Sequence, residues 1–272
     1  MGVRYDWVSF TTDYGTSDGF VAACKGVIAG IAPAARVLDI THEVEPHDVR
    51  RGGAVLAHTV GYLPTSIHLA VVDPGVGGSR RAVVLVTANG LLVGPDNGLL
   101  LPAADVLGGV VAAYELAERK YRLPEVSMTF HGRDIFAPAA AHLANGVAPV
   151  EFGREVEITD LVRLPSPYSS VVDGRLSSEI VGADRFGNLQ LAAGPADLAA
   201  LGVLPGDTMR VQLRRSVVDG QLGATFSDVP AGSLLVHVDS SGQVAVAVNG
   251  GSAAEALGGQ VGELTISPIA RP

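Results

Sequence analysis

Three stretches of the chain gather side chains that can handle charge and protons. "VVDPGVGGSRR" ends an apolar run on Asp73, turns through glycine and reaches Arg80 and Arg81. "TTDYGTSDG" carries Asp13 just after another apolar run, and "TFHGRDIF" carries His131, Gly132, Arg133 and Asp134. A carboxylate accepts hydrogen bonds. A guanidinium keeps its charge and cannot act as a base near neutral pH. An imidazole titrates close to neutrality and can give or take a proton. Each residue also has a plainer use. A strand-end Asp serves as a turn or cap residue, an arginine pair can be a solvated turn, and one His among 7 can be a surface residue.

The elements that would carry these stretches alternate between strand and helix. "WVSFTT" predicts a strand ending at Asp13, and "DGFVAACKGVIAGIAP" a helix with Asp18 as cap and Gly30 and Pro33 near its end. "RVLDIT" predicts a second strand, and "DVRRGGAVLAHTVGYLP" a second helix opened by Asp48. "IHLAVVD" and "AVVLVT" are apolar on both faces, as strands of a covered sheet are. "RDIFAPAAAHLANG" predicts a third helix with Gly146 at its C-cap. This alternation predicts an α/β domain with a mostly parallel sheet. Ligands of such sheets bind beyond the carboxyl ends of the strands, where Asp13 and Asp73 fall.

After "VRLPSPYSSVVDG" the helical pattern thins, and short strands punctuated by Gly, Asp and Ser take over. "DSSG" reads as a hairpin turn between alternating strands. The expected organisation is an α/β domain over residues 1–167 and a smaller all-β, barrel-like domain over residues 168–272.

Bulk composition narrows the function classes. The 272 residues are 47% hydrophobic and 17% charged, which suits a globular chain with a sizeable core. A net charge of −9 without a basic run speaks against nucleic acid or anionic lipid as partner. Cys24 is the only cysteine, so neither an internal disulfide nor a cysteine-rich zinc site is expected. The N-terminus lacks a signal-peptide pattern, no apolar run reaches membrane-spanning length, and the cytoplasm is the expected location. "GVGGSRR" lacks the lysine and hydroxyl residue of a phosphate loop, and "DYGTSDG" does not match the dinucleotide fingerprint. His42, His47 and His58 fit no standard ligand spacing, so no metal is expected.

At "FTTDYGTSDGFVAACKGVI", "VVDPGVGGSRR", "GPDNGLL", "TFHGRDIFAPAAAHLA", "DRFGNL" and "DSSGQVAVAVNGGSA" the chain resembles the S-adenosyl-L-methionine hydroxide adenosyltransferases. These are hydrolytic relatives of the fluorinase and chlorinase enzymes. The resemblance runs through nearly the whole chain in the right order. It implies an Asp–Arg–His trio that positions and activates water, falling on Asp73, Arg80 and His131. Family spacing selects Arg80 over Arg81. The halogenases carry another residue at the position of Asp73, and Gly132 occupies the position beside the His.

The resemblance also implies substrate contacts. Asp13 would clasp the ribose diol, and Asp184 would bind the methionine ammonium. Phe186 and Asn188 would surround the base, with Asn249 and Gly250 in a later adenine-contact segment. His47 and Gln190 stand where the fluorinase has tryptophans, and His47 is assigned to the substrate pocket. The implied reaction is attack of water at ribose C5′, giving adenosine and L-methionine, with no cofactor. The sulfonium is already an excellent leaving group, so the demand falls on the nucleophile. General-base assistance is typically worth about 10²–10⁴-fold. The implied assembly is a homotrimer with sites between subunits. A halogenase on the same scaffold and a non-catalytic S-adenosylmethionine or adenosine binder are the alternatives.

Overall fold

The structure is a computed structural model that describes residues 3–269. It divides into two compact units, Met1–Leu164 and Pro165–Pro272. No helix among the described residues is long and apolar enough to cross a membrane.

The first unit is a layered α/β structure. β1 (Trp7–Thr12), α1 (Phe20–Ile31), β2 (Arg36–Thr41), α2 (Val49–Val60) and β3 (Ser66–Val71) alternate as the pattern predicts. Next come β4 (Ala82–Thr87), β5 (Gly90–Pro95), α3 (Leu101–Val106), β6 (Val110–Glu115) and α4 (Ala137–Ala144). The sheet order is β2-β1-β3-β5-β4-β6. The pairings β1–β2, β1–β3 and β3–β5 are parallel, whereas β4 runs antiparallel to both β5 and β6. The sheet is thus mostly parallel, with an antiparallel edge.

Apolar residues on both faces of the strands explain the layers. On β3, Ile67, Leu69 and Val71 pack into one core with α1 and α4, while Ala70 belongs to a second core with α2 and α3. The alanine-rich α4 is nearly all buried, and its small side chains let it lie close to α1 and the sheet. Asp48 caps α2 by accepting from the Arg51 backbone N–H at 2.9 Å. Asp18 does not cap α1: the helix opens after Gly19 with no side-chain cap.

The second unit is a closed barrel. Its strands are β7 (Ser169–Val172), β8 (Arg175–Ala183), β9 (Leu189–Leu191), β10 (Thr208–Leu213), β11 (Ser216–Leu222), β12 (Leu234–Val238), β13 (Val244–Val248) and β14 (Glu263–Pro268). The ring runs β8-β9-β13-β12-β11-β10-β14 and closes where β14 pairs with β8, while β7 pairs on the outside of β8. Period-2 alternation fills the interior, as with Met209, Val211 and Leu213 on β10. Closure leaves few edges exposed. Two short helices, α5 (Pro195–Ala200) and α6 (Ala253–Leu257), go beyond the all-β expectation.

Candidate active site

Strands β1 and β3 are neighbours, and the chain leaves β1 towards β2 on one side before crossing to β3 on the other. This is a topological switch point, where loops diverge and leave a crevice. Asp13 follows β1 directly, and Asp73 follows β3. Beyond Asp73 the chain turns tightly, with Val76 N–H donating to the Asp73 carbonyl at 3.2 Å and Gly78 N–H to the Gly75 carbonyl at 3.0 Å. Gly77 has φ of 74°, and a Cβ there would overlap the Met128 carbonyl. The turn thus needs glycine for both its backbone angle and its closeness to the 128 loop.

It delivers Arg80 back to Asp73. Arg80 Nε donates to both carboxylate oxygens at 3.0 Å, and Nη2 donates to Oδ2 at 2.5 Å. The side chains are 12% and 5% exposed, so this is a shielded charge pair. The guanidinium also sits 5.2 Å from the centre of the Phe136 ring.

Arg80 Nη2 lies 2.8 Å from His131 Nδ1. An arginine only donates, so Nδ1 must be the acceptor. In this arrangement His131 is neutral, with its proton on Nε2. Burial, and then the nearby Arg80 charge, lower its pKa below the ordinary histidine value, against a smaller upward pull from Asp73. His131 opens a π-helical turn, Gly132–Phe136, that leads into α4. Ala137 N–H bonds to the Gly132 carbonyl, the wide spacing of a π turn. The predicted single helix is therefore two pieces, and the wide turn carries the trio's third member.

A pocket of about 270 Å³ opens here, and Asp13, His47, Asp73, His131 and Gly132 all line it. Arg80 does not line it; the guanidinium joins the two side chains that do. Asp13 Oδ2 accepts from the His47 backbone N–H at 2.9 Å, which fixes a loop where His47 takes φ of 71°. Tyr14, Phe20 and Thr129 also line the wall and escaped the sequence reading. Tyr14 stands edge-on to Phe130 with ring centres 5.7 Å apart. Burial raises its pKa, so its hydroxyl stays protonated. A Cβ at Gly132 would overlap the Tyr14 hydroxyl, so a larger residue there would push the Tyr14 ring aside. The available signal was the aromatic residue next to Asp13.

Other members of the motifs serve the framework. Arg81 pairs with Asp96 at 2.6 Å and donates to the Asp160 carbonyl, so it is not a solvated neighbour. Asp134 is fully buried and accepts from Ser127 N–H at 2.8 Å and from Arg133. His42 Nδ1 lies 2.8 Å from Thr12 Oγ1, which ties its ring to the end of β1.

The second unit holds the remaining candidates. Asp184 Oδ1 accepts from the N–H groups of Phe186 and Asn188, each at 2.9 Å, and Oδ2 accepts from Asn188 Nδ2 at 2.7 Å. One carboxylate thus organises the loop between β8 and β9, and Phe186 projects from it 75% exposed. Asn249 follows β13 and donates from Nδ2 to the Val229 carbonyl at 2.8 Å. Gly250 takes φ of 73°. Gln190 donates to Asp239 at 2.8 Å.

An α/β unit with a carboxylate–guanidinium–imidazole network at its switch point, followed by a β-barrel, defines a recognisable class. Residues 8–153 match the SAM hydroxide adenosyltransferase N-terminal domain, and residues 178–265 match its C-terminal domain. A relative from Salinispora arenicola (strain CNS-205), named (R)-S-adenosyl-L-methionine hydrolase, is 57% identical over 251 residues, covering 92% of this chain and 93% of its own. A fluorinase from Actinoplanes sp. (strain N902-109) is 30% identical, covering 89% and 90%. A crystal structure of an uncharacterised conserved protein from Thermotoga maritima is similar with a TM-score of 0.89 and 36% identity, over 96% of this chain and 99% of that one. The chain belongs to the SAM hydroxide adenosyltransferase family.

Proposed function

We propose that this chain hydrolyses S-adenosyl-L-methionine to adenosine and L-methionine. The observation that carries the reading is the single guanidinium that holds Asp73 and His131 side by side on one pocket wall. Water attacks C5′ from the face opposite sulfur. The new C–O bond forms as the C–S bond breaks, the sulfur keeps the bonding pair, and one proton leaves the water.

Asp73 is the proposed proton acceptor. His131 Nδ1 is already engaged by Arg80, so taking a proton there would break that bond. Its Nε2–H instead donates to the water and fixes a lone pair towards C5′. Arg80 keeps both partners in place and supplies positive charge as hydroxide character grows. Asp13 is proposed to accept from the ribose hydroxyls, and Asp184 from the substrate ammonium, using lone-pair capacity beyond its three loop bonds. Phe186, Asn188, Asn249 and Gly250 are proposed base contacts, and His47 a pocket wall residue. The chain is proposed to act as a homotrimer in the cytoplasm, with substrate shared between copies. Halide is a poorer fit as nucleophile, because a carboxylate on the pocket wall repels an anion.

The test is mass spectrometry of purified protein incubated with S-adenosylmethionine, with EDTA and with chloride in separate arms. Adenosine and methionine in equal amounts in every arm are expected. A chlorinated nucleoside would move the chain to the halogenases. Binding without turnover would make it a sensor. Activity lost to EDTA and restored by a divalent metal would overturn the cofactor-free scheme.

A further inference from the structure

The turn Pro95–Asp96–Asn97–Gly98, at the end of β5, has no part in the scheme above. Its bonds go to the residues flanking the Asp73–Arg80 pair. Asn97 Nδ2 donates to the Val72 carbonyl at 2.9 Å, one residue before Asp73. Asp96 N–H donates to the Arg81 carbonyl at 3.0 Å, one residue after Arg80. The Asp96 carboxylate also accepts from Arg81 Nε at 2.7 Å and is itself secured by the Val162 N–H at 2.9 Å. Its side chain is 4% exposed. Asn97 is braced in turn, with Oδ1 accepting from Leu99 N–H at 3.2 Å.

The loop between Asp73 and Arg80 contains Gly75, Gly77 and Gly78, which admit many backbone conformations. A loop of this kind keeps two side chains aligned only if its ends are fixed. The Asp96–Asn97 pair grips both ends from one rigid strand terminus. An amide is required at residue 97 because its target is a carbonyl oxygen; a carboxylate there would repel it. We infer that Asp96 and Asn97 are positioning residues, which hold the Asp73–Arg80 fork and, through Arg80, the His131 ring in working alignment. The effect on rate rests on the proposed hydrolysis; the effect on alignment does not.

The experiment compares the parent with Asn97→Ala and Asp96→Asn, and uses Val60→Ala as a control. Val60 is a buried core residue on α2 outside the pocket that shares its core with Val72 and Leu99, so the control lowers Tm and loosens that packing while leaving every clamp hydrogen bond its donor and acceptor. Two readouts are taken well below each Tm. One is single-turnover adenosine release beside the substrate dissociation constant. The other is NMR titration of His131, its resonance assigned by its loss in His131→Gln. Asn97→Ala is expected to slow release by about 10–100-fold with affinity nearly unchanged, since small misplacements of reacting groups cost about that much. It should also move the His131 pKa upwards, because the imidazole loses the confinement and the neighbouring cation that depress it. Val60→Ala should change neither. A parental His131 pKa in folded Asn97→Ala, or an equal shift in Val60→Ala, would overturn the inference. If Asp96→Asn fails to fold, Asn97→Ala decides alone. An inactive parent would sink the hydrolase reading, and the titration would still decide the clamp.

Discussion

A guanidinium has no lone pair, and that elementary fact assigns the roles within the trio. Arg80 donates to Asp73 and His131 at once, so His131 is held neutral and Asp73 carries the acceptor capacity. Asp73→Asn should lower single-turnover adenosine release by about 10²–10⁴-fold, the usual worth of a general base. His131→Gln, which keeps a donor, should retain more activity than His131→Ala; equal loss would assign His131 the base role. The acid limb of kcat/KM should fall below pH 6.5, because a depressed pKa keeps His131 neutral to lower pH. The two arginines should separate cleanly. Arg80→Lys keeps a charge but loses the fork, so rate should fall far more than binding. Arg81→Ala leaves a nearly buried Asp96 short of its partner and should cost about 1–3 kcal/mol in urea unfolding. Sequence alone placed Asp73, Arg80 and His131 in one motif set by resemblance. It could not show that Arg81 is engaged in a second ion pair with Asp96, because adjacent residues on a strand approach face opposite ways and spacing does not say which faces the site.

At the scale of elements, what was legible followed hydrophobic period. α1 and α2 carry apolar residues at helical spacing, and β1, β2 and β3 are short β-rich or continuously apolar runs, so each was legible. Strand β4 was legible as a run apolar on both faces, but β5, buried throughout and so without alternation, the 6-residue α3 and strand β6 were not. The π turn at Gly132–Phe136 was hidden too, since its apolar residues match an α-helical pattern. Pro138, which lacks an N–H, is the one local sign of irregular bonding there. The centre of the sheet carries its own titration. Ser9 and His68 are register partners on β1 and β3, with Ser9 Oγ 2.8 Å from His68 Nδ1. His68 is 1% exposed, and burial depresses its pKa to about 4. The unfolded chain therefore binds a proton that the native state refuses between about pH 6.5 and 4. Stability should fall as pH drops through that window, by about 3 kcal/mol in all from this group. Urea unfolding at pH 7 and pH 4.5 checks this. His68→Gln should flatten the difference; an unchanged slope would locate the acid sensitivity elsewhere.

At the scale of the whole molecule, the change from helix-rich to strand-rich pattern announced an α/β unit and a β unit, and both are present. Barrel closure was less legible, because the β14–β8 pairing joins strands far apart in sequence and no local signal records it. The proposed homotrimer has a direct check in light scattering across a dilution series, where a trimer mass is expected and a persistent monomer would reject shared sites. The central claim is that solvent water, held by Asp73 and His131, becomes the 5′-hydroxyl of adenosine. It is tested by a single turnover in ¹⁸O-water followed by mass spectrometry of the nucleoside. One solvent-derived ¹⁸O per adenosine, located at O5′, is the predicted result. Adenosine released without the label would contradict displacement at C5′ and the account built on it.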